Sequence, residues 1–399
     1  MQNQIIEFRD EFMSKNNSPS LLALCKSLII PFLSLTLMML GSGLLNTFTS
    51  IRLEMAGYSI ETIGVVTSAL YVGILIGAIW LDRWISEIGH RPALIAFCTM
   101  SIFLVMAQAI WIDAIYWCII RFGAGICLSG IFIVIESWLL LESPLPMRGR
   151  ILSIYLFIFY GGLSAGQFLI NIAPLNTIYP FCITAIFFTA SLIPTLIQTN
   201  SEPKPEITQK VSLIELFNIS PLGFLGGIIS GMLLAAIYGL VPVYGAEIKM
   251  KVSEIAIWMA VIIFGGMIFQ WPLGVWADKG NRRKVLNFSA LIAALLALAI
   301  SLLPRQFSLT LLLLSWFFGG ASFAIYPLSM GFTCAKINKE QIVAATGGFV
   351  LVYGVGAIIG PLLAPIAITL FGISGLFYFL SAISLLFALT GYLSSQFND

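Results

Sequence analysis

The sequence predicts an all-α integral membrane protein whose twelve transmembrane helices form two pseudo-symmetric six-helix bundles. Three observations carry that prediction. Of the 399 residues, 59% are hydrophobic and only 10% are charged, whereas a soluble domain carries about 25% charged residues because something polar must face water. The apolar stretches are continuous rather than alternating, which reads as helices and not as the strands of a barrel. A polar segment holding Pro203 and Pro205 interrupts the chain near its middle. The net charge of +2 leaves no basic footprint for nucleic acid.

A spanning helix needs about 20 apolar residues. In order, the spans are expected at 28–49, 60–81, 92–112, 115–141, 151–171, 178–198, 221–245, 254–276, 285–304, 308–334, 342–369 and 373–394. Most connections are short, so consecutive helices run antiparallel. Residues 1–27 form a tail in which Ile5, Phe8 and Phe12 suit a short interfacial helix, a partly disordered tail being the alternative. The exception among the connections is 199–220, read as a linker between the bundles 28–198 and 221–399. The six cysteines form no CxxC pair and read as small packing residues.

Lys and Arg set the orientation. With both termini in the cytoplasm, fifteen fall in cytoplasmic segments, four in outer loops, and Arg121 within a span. By the positive-inside rule this predicts a multi-pass protein of a bacterial inner membrane with both termini cytoplasmic. It is expected to meet the lipid bilayer as a monomer.

The halves repeat. A shift of 192 residues pairs Gly73 with Gly265, Gly89 with Asn281 and Arg91 with Arg283. The fifth span holds YGGLSAGQ from Tyr160, and the eleventh YGVGAIIGP from Tyr353. Such a repeat suits a two-bundle alternating-access transporter.

With Gly274-x-x-x-Asp278-Lys279-x-x-Arg282-Arg283, Arg121-Phe-Gly-Ala-Gly125 and Pro144-x-x-x-Arg148-Gly149-Arg150, the sequence resembles the major facilitator superfamily. Glu136-Ser137, Tyr238-Gly239-Leu240-x-Pro242 and Gln270-Trp271-Pro272-x-Gly274 resemble its bacterial YcaD-type branch. The resemblance implies the major facilitator fold and a cytoplasmic gate at Gly274, Asp278, Arg282 and Arg283, with Asp82, Arg83, Arg91 and Arg148 opposite. The first-half gate departs from the pattern, with Asp82 and Ser86 at its Gly and Asp positions. Gln167 stands where drug–proton antiporters carry a Gly-Pro step.

Two ionisable residues lie well inside a span, Arg121 and Glu136. A charge there must face a cavity or a partner. They stand about 22 Å apart along one helix and about 60° apart in azimuth. Arg121 reads as an anion or substrate contact, as a neighbour tuning a proton site, or as an arginine snorkelling outward. Glu136 reads as a proton carrier, as a structural ion pair, or, by the resemblance, as a bridge to Arg83, Arg91 or Arg148. Tyr71, Tyr160, Tyr238, Tyr326 and Tyr353 lie near span centres on helices that the resemblance places around a central cavity. Helix–helix hydrogen bonding is their alternative role. Gln167, Gln270 and Asn46 add polar groups at other depths.

The remaining polar residues carry less. Glu61 and Glu254, preceded by Ser59 and Ser253, read as helix starts capped by serine. His90 reads as a solvated loop residue. No cluster suggests a metal and no Gly-rich loop a nucleotide, so no cofactor and no enzyme is expected. The expected function is secondary active transport of a small organic solute, proton-coupled and in the uptake direction. Proton-driven efflux of amphiphiles and a non-transporting receptor are the alternatives.

Overall fold

The structure is a computed structural model that describes residues 21–144, 147–197, 213–337 and 342–396. The expected interfacial helix at Ile5, Phe8 and Phe12 lies outside these residues, as do 199–212 of the expected linker.

Among the described residues, twelve helices are long and apolar enough to cross a membrane. They are α1 Ile29–Met55, α2 Ile60–Ile88, α3 His90–Gln108, α4 Ala114–Glu142, α5 Arg148–Gly166 and α6 Tyr179–Ile197 in the first half. The second half holds α7 Pro221–Glu247, α8 Val252–Lys279, α9 Arg282–Leu302, α10 Leu309–Cys334, α11 Ile342–Phe371 and α12 Gly375–Gln396. A seven-residue helix precedes each half, Leu21–Ser27 and Leu213–Ile219. The second lies inside the segment expected as linker, so the repeat reaches one element further out than the spans.

Local chemistry sets the ends. Ser59, Asp113, Asn281 and Ser308 accept the backbone N–H three residues on, which starts α2, α4, α9 and α10. Ser253 has no such role: α8 starts earlier, at Val252, and Glu254 Oε2 accepts the Lys251 N–H at 2.8 Å. Gly89 ends α2 at φ 91°, a left-handed conformation that favours glycine. It joins α2 to α3 with no intervening loop.

That joint overturns the reading of His90. The residue is the first of α3 and is fully buried. Its Nε2 lies 2.8 Å from Ser137 Oγ on α4. Ser137 spends its own hydrogen on the Ile133 and Val134 carbonyls, so the imidazole is the donor. A loop of ordinary length would have left the ring in solvent; a one-residue turn presses it against α4.

The packing repeats. In the first half α2 lies on α4, α1 on α5 and α6, and α3 on α4 and α6. In the second, α8 lies on α10, α7 on α11 and α12, and α9 on α10 and α12. Glycines set the closest approaches. A Cβ on Gly73 would strike the Phe122 carbonyl and one on Gly125 the Leu70 carbonyl; in the second half Gly265 meets Trp316 and Gly319 meets Ile262 in the same way. Gly166 on the Leu40 carbonyl corresponds to Gly360 on that of Met232. The fifth and eleventh helices therefore register glycine to glycine, one residue away from a match of Tyr160 with Tyr353.

The halves dock through α2 on α11 and α5 on α8, a pair exchanged by the pseudo-twofold, with α1 touching α7. At mid-height the contacts are soft. A Cβ on Gly161 would stand 3.6 Å from the Met267 Sδ, and one on Gly354 would stand 3.0 Å from a Leu75 methyl.

Gly265→Ala should lower the detergent melting temperature and folded yield, because neither backbone at the α8–α10 crossing can give way. The cost expected is about 1–3 kcal/mol. Gly161→Ala should stay close to wild type, since its new methyl meets only a flexible thioether. Equal effects would show that backbone contact does not set the rigidity of the halves.

Candidate functional site

The polar residues of the spans gather at two depths. The first lies in the half of the molecule away from the basic loops. Arg121 on α4 is only 4% exposed. Its Nη2 donates to Asn46 Oδ1 on α1 at 3.2 Å, and its Nε has no partner. It does not snorkel, because its head is enclosed by protein. Ser50, Thr67, Tyr71 and Tyr238 line the same cleft, which has room for about one water molecule. The Tyr238 hydroxyl is buried without a partner among the described residues. The walls come from α1, α2 and α4 of one bundle and α7 of the other.

The second depth lies nearer the basic loops. Glu136 is half-buried on α4, and no hydrogen bond or ion pair reaches it among the described residues. It lies within electrostatic range of Tyr155 on α5 and Tyr326 on α10. The bridge from Glu136 to Arg83, Arg91 or Arg148 is not present. Arg83 pairs with Glu87 at 3.3 Å on its own helix. Arg91 donates to the Leu196 carbonyl at 2.9 Å, and Arg148 to that of Ser143 at 3.3 Å. Each cation finds an acceptor close to its own helix end.

An aromatic stack links the two depths. The Tyr160 and Tyr238 rings stand edge-on to Phe323, at 5.4 and 5.8 Å between centroids. Tyr326 meets Tyr353 at 5.3 Å. The five expected tyrosines thus fall along one interior column, Tyr71 beside Arg121 at its far end. Gln270 approaches the Tyr160 hydroxyl and keeps a buried, unpartnered Nε2. Gln167 is not part of this column. Its Oε1 accepts from Thr47 at 2.6 Å and its Nε2 donates to the Gly43 carbonyl at 3.0 Å, so its amide is consumed in packing α1. Thr67, Ser50, Tyr155 and Phe323 went unnoticed in the sequence. Tyr155 lies five residues before Tyr160 on the same helix, about 140° around its axis, so spacing gave no signal for it.

The expected gate is only partly assembled. Arg282 Nη2 lies 2.9 Å from Asp278 Oδ1, across the break between α8 and α9. Arg282 also donates to the Gly331 carbonyl of α10 at 2.8 Å, and Arg283 to that of Gly391 on α12 at 3.2 Å. All these bonds stay within the second half. Gly274 of the expected gate has no atom of the described residues within 4 Å of where its Cβ would be. Asp82 is half-buried at the end of α2.

Three hydrogen bonds join the bundles in the opposite half. Ser68 Oγ on α2 donates to the Ile358 carbonyl on α11 at 2.8 Å, and Ser164 Oγ on α5 to the Ala260 carbonyl on α8 at 2.9 Å. The repeat that pairs Gly73 with Gly265 also pairs position 68 with 260, and the register of Gly166 with Gly360 pairs 164 with 358. The two bonds therefore join equivalent pairs of positions, with donor and acceptor exchanged between them. Beyond them Thr369 donates to Glu61 at 2.9 Å, so Glu61 reaches across the bundles besides starting α2.

The Major Facilitator Superfamily pattern matches residues 223–395 of this chain. The chain is 29% identical over 387 residues to the uncharacterised MFS-type transporter YcaD of Salmonella typhimurium, covering 94% of this chain and 96% of the relative. YcaD of Salmonella typhi matches to the same extent, 29% over 387 residues. Among solved structures, the nucleoside transporter NupG superposes with a TM-score of 0.76 at 12% identity, over 93% of this chain and 98% of that one. A D-xylose-proton symporter gives 0.74 at 14% identity, over 92% and 97%. At such identities the solved structures show a shared fold. Fold, repeat and full-length likeness together make this chain similar to the major facilitator superfamily and to its YcaD-type transporters.

Proposed function

We propose that this chain carries a small organic solute across a bacterial inner membrane by alternating access, coupled to protons and in the direction of uptake. The bundles 28–198 and 221–399 would move about the linker 199–220, with both termini cytoplasmic. The observation that carries the reading is the Arg121 cleft, whose lining comes from both bundles. A ligand held there touches both, so its binding energy can bias how they dock. Glu136 supplies the proton site. A carboxyl inside a span with no cation beside it is a place where a proton can be taken up and released. Gln167, locked into α1 where drug antiporters carry a Gly-Pro step, favours uptake over efflux.

With the basic loops in the cytoplasm, the three inter-bundle hydrogen bonds lie on the outer side. The structure then corresponds to the outward-closed state. Asp278 and Arg282 are 70% and 38% exposed in their side chains, which fits a contact completed only when the cytoplasmic side closes. As it stands, the exposed pair is worth at most about 1 kcal/mol.

Counterflow in proteoliposomes tests the transport reading, since a receptor exchanges nothing. Glu136→Gln should abolish proton-driven accumulation while counterflow persists. Loss of both activities in a folded variant would make Glu136 structural. The double change Ser68→Ala, Ser164→Ala should open the outer side. Each bond is worth about 1 kcal/mol and exists in one state only, so losing both should shift the population by about thirtyfold. A single cysteine at Ser50, which is 2% exposed here, placed in a background lacking the six native cysteines, should then react faster with an impermeant maleimide from outside. Unchanged labelling would remove these serines from the closure.

A further inference from the structure

The cleft at Arg121 holds a positive charge and nothing to balance it. The side chain is 4% exposed, and its one described hydrogen bond goes to the neutral amide oxygen of Asn46. The ion pairs seen among the described residues, Arg83–Glu87 and Asp278–Arg282, both lie at the basic end. Glu136 is about 22 Å away along α4. A buried cation without a counter-ion is disfavoured, because neither water nor an opposite charge replaces its lost hydration. Two donors on residues that line the cleft, Arg121 Nε and the Tyr238 hydroxyl, are also buried without acceptors among the described residues. The missing chemistry is therefore an acceptor, and it is negative.

We propose that the transported solute is an organic monocarboxylate whose carboxylate is held by Arg121 and Tyr238, with an apolar or aromatic body lying against Tyr71 and the Phe323 stack. This rests on the transport reading above and gives that site its substrate class. A planar carboxylate takes two N–H groups of a guanidinium at once, which a neutral solute cannot match. One cation admits one negative charge; a dianion would bring a second into a region with nothing to meet it. Beyond the cleft the column is aromatic, with the Tyr160 and Tyr238 rings against Phe323, so the body of the solute is expected to be apolar. The cleft as it stands holds about one water. The solute must therefore enter when α7 moves away from α2 and α4, and holding it across that gap is what couples occupancy to closure.

The test uses the full chain, in detergent and in proteoliposomes. The probes are benzoate, phenylacetate and 4-methylvalerate, each with its primary amide, together with phenyl phosphate as a dianion. At about a hundredfold excess over Kd, a bound carboxylate should raise the melting temperature by a few degrees, with no shift from its amide. Arg121→Gln should erase that shift yet melt no lower than wild type without ligand, because an unbalanced buried charge has been removed. A merely structural arginine would give a clear fall instead. Arg121→Lys keeps the charge but loses the planar fork, so affinity should fall about tenfold or more. A carboxylate that binds through Arg121 and is exchanged in counterflow supports both readings. Binding without exchange supports the site and overturns transport. Exchange of an amide, with no Arg121-dependent carboxylate shift, supports transport and overturns the carboxylate. Tighter binding of phenyl phosphate, or no carboxylate-specific shift from any probe, also overturns it.

Discussion

The structure depends on backbone meeting backbone inside each bundle. Where α2 crosses α4 and α8 crosses α10, Gly73, Gly125, Gly265 and Gly319 leave no side chain between one helix and the carbonyls of the next. In lipid, helices gain no hydrophobic advantage from touching each other, so close van der Waals packing must hold them. The same device recurs at α1–α5 and α7–α11. At mid-height between the bundles the partners are a thioether and a leucine methyl instead. At mid-height, rigidity therefore lies within the halves and compliance between them, while Gly64 of α2 meets the Pro361 carbonyl of α11 across the bundles.

Much of this was legible in the sequence, and what was not has a common cause. Twelve apolar runs could be counted, and the pairing of Gly73 with Gly265 reappears as two equivalent crossings. The column of tyrosines was also legible, because depth in the membrane follows from residue number. Rotation about the helix axis does not. The azimuth of a spanning helix is fixed by its crossings, so sequence could not show that Gln167 turns toward α1 while Tyr155 turns toward Glu136. His90 failed for a related reason: hydropathy marks a polar stretch as a loop, whereas the conformation of one glycine decides whether a loop exists. No cation meets Glu136 in this state, because Arg83 pairs with Glu87 and Arg91 and Arg148 bond carbonyls near their own helix ends.

The interior accounts closely for its polar atoms. Many hydroxyls of the spans bond to a carbonyl one turn back on their own helix, as Thr36 does to Phe32, Thr49 to Leu45 and Ser101 to Phe97. Such bonds answer the demand of a medium without water. They are local, and so they survive any movement of one bundle against the other. Nine buried side-chain N and O atoms lack a partner among the described residues, and three of them are the Nε of Arg121, the hydroxyl of Tyr238 and the amide nitrogen of Gln270. All three sit on the aromatic column, where a passing molecule rather than a neighbouring helix can complete them.

The twin bonds of Ser68 and Ser164 bear on how such a molecule can change over generations. Both hydroxyls belong to the first half and both acceptors to the second, at Ile358 and Ala260. A carbonyl is supplied by every residue type, so the second half is under no demand to keep any particular side chain at those positions. Only the first half must hold its serines. A duplicated gene whose copies began alike can therefore preserve a symmetric closure while one copy drifts, and the mechanical twofold outlasts the resemblance of the sequences that first produced it.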